Sequence, residues 1–85
     1  MDSVGLRKHG RRKMDSMMML RVELEQEEDG RWIAEVVEIA GALAYGASSA
    51  EAKAKAQAIA LRALADQLDH GEAATDLSNI SFAAA

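Results

Sequence analysis

Two runs of alternating side chains flank the Asp29-Gly30 step, and this pattern limits the fold more than any other part of the sequence. An apolar side chain at every second position predicts a strand with one buried and one exposed face. The apolar residues at these alternate positions are Leu20, Val22 and Leu24 in the first run, and Trp32, Ala34 and Val36 in the second. Asp-Gly favours a tight turn because glycine accepts a positive φ. We therefore predict an antiparallel hairpin.

The sequence after the hairpin predicts a bend and a third short strand. Residues 37–41 are irregular and end in Gly41, which favours a change of chain direction. Residues 42–45 can then form a strand, closed by Gly46. The chain contains no proline. The bend is therefore expected to be less rigid than one built on proline.

A long helix is predicted over residues 49–69. Ser48 and Glu51 form a capping box, in which the serine hydroxyl accepts from a first-turn amide and the glutamate reaches back to the cap amide. Alanine dominates the segment and is the best helix former. Glu51 and Lys55 are spaced as a favourable i,i+4 pair. Gly71 is placed to end the helix.

The last segment predicts one more strand. A polar stretch at 72–77 leads to Ile80 and Phe82, which alternate with Ser81, while residues 83–85 are expected to fray. The element order is then β-β-β-α-β. We predict an α+β fold, with a small antiparallel-type sheet and one long helix on one face, in a single domain over residues 20–83.

The predicted helix has two apolar sides. The side expected to pack on the sheet contains Ala52, Ala56, Ile59, Ala60 and Ala63. The side roughly opposite contains Ala50, Ala54, Ala58, Leu61, Ala65 and Leu68, with Leu64 near an edge. One interpretation is that Leu61 and Leu68 belong to a partner or dimer surface. The other is that alanine simply fills surface positions of a strong helix former.

Charge is divided unevenly along the chain. Residues 1–19 hold five basic and two acidic residues, and residues 20–85 hold five basic and twelve acidic ones, a balance of −7. The acidic body favours a basic protein partner and disfavours direct binding to nucleic acid. Residues 1–19 predict a disordered basic tail. The tail is either an arm for nucleic acid or another anionic surface, a solvated extension, or sequence upstream of a start at a later methionine.

Composition excludes several kinds of site. The chain has no cysteine, so disulfides, thiolate metal sites and a cysteine nucleophile are absent. The two histidines, His9 and His70, are too few for an ordinary zinc site. No apolar run reaches the roughly 18 residues of a membrane span, and the N-terminus lacks the apolar stretch of a signal peptide. We expect a cytoplasmic protein without cofactor or metal.

Three glutamates of the predicted hairpin are candidates for a metal or catalytic site. Glu23 and Glu25 share one face of the first strand, and Glu35 is expected beside them on the second. They lack a pocket and an accompanying base, so a solvated or partner-binding face is the better interpretation than a metal-dependent nuclease. Ser48 is assigned to the helix cap, and His70 to the C-terminal helix dipole. We therefore predict no enzymatic activity.

The hairpin, the bend and the helix start together resemble the HicB-like antitoxins. The matching motifs are Glu28-Asp29-Gly30-Arg31-Trp32-Ile33-Ala34-Glu35-Val36, then Ile39-x-Gly41, then Gly46-x-Ser48-x-x-Glu51-Ala52. The resemblance covers about residues 20–70, and the motifs occur in the family's order and spacing. One departure is that the bend, which carries prolines in the family, has Val37 and Ala40 here.

The resemblance implies a partial RNase H-like fold without catalytic acids, and a small basic mRNA-cleaving HicA-type toxin as partner. An antitoxin of this kind blocks the toxin by direct contact. Many relatives also carry a C-terminal DNA-binding module, and this chain ends too soon after its helix to expect one. The alternative is an orphan homodimeric domain without a toxin. As partner-binding residues we nominate Glu23, Glu25, Glu35, Leu61 and Leu68, from surface position rather than from family positions.

Overall fold

A computed structural model describes residues 18–71 and 79–85. The elements are β1 (Met18–Gln26), β2 (Trp32–Val36), β3 (Leu43–Gly46), α1 (Ser49–Asp69) and β4 (Ile80–Ala84). They confirm the α+β class and the predicted order β-β-β-α-β. The four strands form one sheet in the order β3-β2-β1-β4. The sheet is mixed, because β4 pairs parallel to β1 while the other pairs are antiparallel.

The predicted basic tail lies mostly outside the described residues, but its last two residues belong to the sheet. β1 begins at Met18, which pairs with Ile80 of β4. The prediction that residues 83–85 fray is wrong, because these residues also pair with β1. Ala83 and Ala84 extend β4 along β1, and the Ala85 amide donates to the carbonyl of Val22 at 2.9 Å.

The predicted hairpin is confirmed, with a loop of residues 27–31 between its strands. The Glu27 amide donates to the carbonyl of Arg31 at 2.7 Å and closes the loop. Gly30 has φ +94°, a conformation that side chains other than glycine rarely adopt. The Asp29 carboxylate accepts from the Arg31 amide at 3.1 Å and from its Nε at 2.9 Å. These local bonds set the register of β1 against β2.

The predicted bend consists of two successive hydrogen-bonded turns. The Ile39 amide donates to the carbonyl of Val36, and the Ala42 amide donates to that of Ile39, both at 3.1 Å. Gly41 takes φ +82° at the third position of the second turn, as glycine commonly does there. The buried Ile39 side chain ties the bend to the core. The bend is thus held by hydrogen bonds and packing without proline.

The helix has the predicted bounds and a modified capping box. Ser48 Oγ accepts from the Glu51 amide at 3.1 Å, as predicted. The Glu51 carboxylate accepts from the amide of Ala47 at 2.6 Å, one residue before the cap amide that we expected. Its other oxygen lies 3.4 Å from Lys55 Nζ. At the C-terminus the chain leaves the helix at Gly71, where φ is +67°.

The core lies between α1 and the sheet and is built largely from small side chains on the helix. Its buried residues are Leu20, Val22, Ala34, Val36, Ile39, Ala42, Ala52, Ala56, Ala60 and Leu64. Alanine at successive turns lets the helix approach the sheet closely. Ile59, Ala63 and Trp32 are half-buried around this core. The predicted sheet-facing side of the helix is confirmed, with Trp32 at the margin of the core.

Two side chains differ from the predicted burial. Leu64, which we placed near an edge, is only 3% exposed and belongs to the core. Leu24, which we placed on the buried face, is 40% exposed. The reason is its place in the sheet: β4 ends opposite Val22, so no strand flanks Leu24 on that side. Helix α1 lies mainly over β2 and β3 and does not cover it.

Gly46 allows the closest contact between helix and sheet. A Cβ built there would lie 2.5 Å from the Ala52 amide nitrogen and 3.0 Å from its Cα. We predict that Gly46→Ala destabilises the fold by about 1–3 kcal/mol, because α1 must move away from β3. Urea unfolding followed by circular dichroism measures the change. The exposed neighbour provides the control: Ala47→Ser should leave the midpoint almost unchanged, and equal effects of both variants would contradict the prediction.

Glu38 connects the bend to β1. Its carboxylate accepts from the Arg21 amide at 2.8 Å and from Arg21 Nε at 2.7 Å. These bonds hold the pKa of Glu38 below its ordinary value, the backbone hydrogen bond being the largest cause.

A lowered pKa in the folded chain stabilises the fold above the unfolded-state pKa, and this stabilisation is lost as the pH falls through the folded-state pKa. We therefore predict that Glu38→Gln is less stable than the unmodified chain at neutral pH. The difference should shrink in acid, below the pKa of Glu38. Thermal melts across this pH range measure it, and a difference that does not change with pH would refute the assignment.

Candidate binding face

The side of the sheet that faces away from α1 is covered by no other described element and carries three glutamates. Because side chains alternate along a strand, residues out of phase with the core point to this side. They include Met19, Arg21, Glu23 and Glu25 on β1, Ile33 and Glu35 on β2, and Leu43 and Tyr45 on β3. We call Glu23, Glu25, Glu35, Ile33 and Leu43 the acidic face. The structure thus brings the three predicted carboxylates together.

Two of these carboxylates oppose each other directly. Glu23 and Glu35 are paired residues in the β1–β2 register, and Glu25 is the next residue of β1 on the same side. The ion pairs among the described residues use other carboxylates, those of Asp29, Glu38, Glu51 and Asp66. Like charges directly opposite each other destabilise an antiparallel pair. The acidic face therefore concentrates negative charge, and the nearest base on the same side of β1 is Arg21, which is paired with Glu38 and also attracted by Glu23.

A shallow concavity of about 360 Å³ lies on the acidic face. It is lined by Glu23, Leu24, Glu25, Ile33, Glu35, Leu43 and Ala85. Ile33 and Leu43 give it an apolar part beside the carboxylates. At the rim, the guanidinium of Arg31 lies 4.7 Å from the centre of the Tyr45 ring. The concavity combines negative charge with apolar surface and is open to solvent.

Sequence reasoning missed the apolar half of this face. The residues nominated from the sequence do not include Ile33 or Leu43. The sequence does contain a signal for Ile33. It alternates with the core residues of β2, so it is an apolar residue on the same side of the strand as Glu35. The contribution of Leu43 depends on the pairing of β3 with β2, which places it opposite Glu35.

The other two candidate residues, Ser48 and His70, make contacts at the two ends of α1. Ser48 caps α1, and His70 Nδ1 lies 2.8 Å from the Asp66 carbonyl oxygen at the helix end. Within residues 18–71 and 79–85, no three histidine or carboxylate side chains are grouped closely enough to hold a metal ion. Glu23, Glu25 and Glu35 together form a negatively charged surface.

The nominated leucines lie elsewhere. Leu61 and Leu68 are 46% and 53% exposed on α1, which covers the opposite side of the sheet from the acidic face. The five nominated residues therefore form two separate surfaces, and a partner seated flat on one of them does not reach the other.

In the described part of the chain, no helix has the length and apolar character to cross a membrane.

Comparison of the chain with protein-family models, curated proteins and solved structures gives no match. The resemblance to the HicB-like antitoxins therefore depends on the three motifs alone. These motifs occupy the β1–β2 hairpin, the bend that ends at Gly41, and the start of α1. The first of them supplies two residues of the acidic face, Ile33 and Glu35.

The Glu23–Glu35 pair predicts a stabilising charge reversal. In Glu35→Lys the repulsion becomes an attraction across the hairpin, worth about 0.2–1 kcal/mol. We expect a higher urea midpoint than that of the unmodified chain at low salt, with a smaller gain at high salt. Glu25→Lys is the matched control, because its direct partner is the uncharged Ile33. A gain for Glu25→Lys as large as that for Glu35→Lys would argue against the pair.

Proposed function

We propose that this chain is a non-enzymatic, cytoplasmic binding protein of the HicB-like antitoxin kind. Its partner is a small basic mRNA-cleaving protein of the HicA type, which it holds inactive by direct contact. The acidic face is the surface that receives the partner. The proposal rests on the family motifs and on the charge and shape of that face.

The opposed carboxylates are the observation that carries the proposal. Glu23 and Glu35 lie side by side at a cost to the hairpin, and the fold does not require charge at either position because both point away from the core. A basic partner removes this cost, since its lysine or arginine side chains neutralise the carboxylates on binding. The repulsion within the free chain thus becomes part of the driving force for association.

The apolar residues beside the carboxylates supply the short-range contacts. Lysine and arginine have apolar stems with a charged end, and such side chains lie along apolar surface while their charge meets an acid. Ile33 and Leu43 offer that surface next to Glu25 and Glu35. The acidic face therefore suits a basic protein better than it suits a free cation, which has no apolar stem to bury.

Long-range attraction acts in the same direction. Residues 20–85 carry a balance of −7, which accelerates encounter with a basic protein and repels RNA. An acidic surface seated on a basic ribonuclease occupies the region that would otherwise attract the RNA backbone. Binding and inhibition then follow from one contact, without any chemical step on this chain.

The proposal predicts that a small basic protein is encoded beside this chain, and it is tested on that protein, made in a catalytically inactive form. The triple variant Glu23→Gln, Glu25→Gln and Glu35→Gln should lower the association rate at low salt by about tenfold or more. It should also flatten the dependence of that rate on salt. Stopped-flow fluorescence of Trp32 or biolayer interferometry gives the rate constants.

A matched control removes the same number of charges elsewhere. The changes Glu28→Gln, Asp66→Asn and Asp69→Asn lie in the hairpin loop and at the end of α1. This control should bind nearly as fast as the unmodified chain. Equal losses in both triple variants would show that net charge alone matters and that the acidic face is not the site. No binding by the unmodified chain at low salt would refute the proposed partner.

A further inference from the structure

The two edge strands of the sheet are held in different ways. At one edge, α1 begins almost in backbone contact with β3 at Gly46. At the other edge, no Cα atom of β4 lies within 8 Å of one in α1, and β1 is the only described element that β4 approaches this closely. Among the described elements, β4 therefore depends mainly on β1 for its position.

β4 also buries less of itself than the other strands do. Each of β1, β2 and β3 has at least one buried residue, and β4 has none. Ile80 and Phe82 lie half-buried at the margin of the core, and Ser81 is exposed. Because hydrophobic stabilisation follows the apolar area that is removed from water, β4 is attached more weakly than the central strands β1 and β2.

The hydrogen bonds of β4 lie along one edge of β1. The Met18 amide donates to the Asn79 carbonyl, and the Ala85 amide donates to the Val22 carbonyl, both at 2.9 Å. Successive residues of a strand turn their backbone groups to opposite edges, so the even-numbered residues of β1 face β4 and the odd-numbered ones face β2. Separation of β4 therefore breaks one ladder of hydrogen bonds and leaves the ladder between β1 and β2 intact.

We propose that β4 is a detachable strand. It separates from β1 as a unit, and Ile80 and Phe82 leave the margin of the core, while α1 and the three strands β1, β2 and β3 stay folded. Such local opening is expected where an element has few buried apolar contacts and a single hydrogen-bonded neighbour.

The docked state of β4 also shapes the acidic face. Ala85, which is held by the carbonyl of Val22, lines the concavity beside Glu23 and Glu25. When β4 opens, the concavity loses this wall. A basic partner that fills the concavity then binds the docked state better than the open one and shifts the equilibrium toward it. This coupling rests on the proposed function, whereas the opening of β4 in the free chain does not.

Hydrogen exchange of single amides, followed by NMR on the full unmodified chain, measures the opening. The amides of Leu20 and Val22 face β4, and those of Glu23 and Glu25 face β2. After correction for the intrinsic rate of each amide, the first two should exchange at least about tenfold faster than the second two. Low concentrations of urea should accelerate Glu23 and Glu25 more strongly, because global unfolding exposes more surface than the separation of one strand.

A disulfide between β1 and β4 tests which movement exposes these amides. The chain has no cysteine, so Met19→Cys with Ser81→Cys introduces the only two thiols. The two positions are exposed register partners, and partners on adjacent strands lie within the distance that a disulfide spans. In the oxidised variant, the exchange of Leu20 and Val22 should slow to that of Glu23 and Glu25. The reduced form of the same variant is the matched control and should exchange like the unmodified chain.

The outcomes separate clearly. Faster exchange at Leu20 and Val22, together with its suppression by the disulfide, supports a strand that opens independently. Equal protection of all four amides in the unmodified chain overturns the proposal, because β4 would then open only with the whole domain. Fast exchange that persists in the oxidised variant also overturns it, since the exposure would not come from separation of β4.

The coupling is measured on the same amides in the complex with the basic partner. At a saturating concentration of the partner, the exchange of Leu20 and Val22 should slow by about tenfold or more. Unchanged exchange in a complex that does form would overturn the coupling. A chain that opens β4 and binds no basic protein would refute the proposed function and leave the detachable strand in place, so the two failures are distinguishable.

Discussion

The packing of alanine on the sheet determines where everything else in this structure lies. Ala52, Ala56 and Ala60 are fully buried at successive turns of α1, and Gly46 lets the helix start almost in backbone contact with β3. Small side chains permit this close approach but contribute little apolar area each. The helix therefore needs a firm start at its capping box, and it needs Leu64 to fill the space toward β1. A larger residue at any of these contact points would lift the helix from the sheet.

The same packing leaves two surfaces of the sheet free of the helix. Because the helix sits over β2 and β3, the other side of those strands is free to carry the opposed glutamates, and the β1–β4 half of the helix side stays uncovered. The first surface is charged, and its electrostatic field acts at long range. The second is neutral and apolar, and it gains free energy only when water is excluded from it. The two surfaces therefore favour different kinds of contact.

The bend between β2 and β3 shows how one fold requirement can be met by different chemistry. In the family that the motifs resemble, prolines stiffen this segment; here two hydrogen-bonded turns, the buried Ile39 and the Glu38–Arg21 contact hold it. The Glu38 contact is ionic and exposed, so its contribution depends on pH and salt in a way that a proline's does not. The bend places Leu43 opposite Glu35 and thereby completes the acidic face.

The sequence by itself determined the elements, because their signals are local. Alternation around Asp29-Gly30 predicted the hairpin, the Ser48–Glu51 box and Gly71 predicted the helix ends, and the phase of Glu23 and Glu25 predicted a shared face. Only the tertiary structure decided which residues those elements cover. Leu24 is exposed because β4 stops at Val22, Leu64 is buried because the sheet continues beneath it, and Leu43 joins the acidic face through its register with β2. The burial of a residue depends on how far the neighbouring elements extend. A local sequence pattern does not show how far they extend.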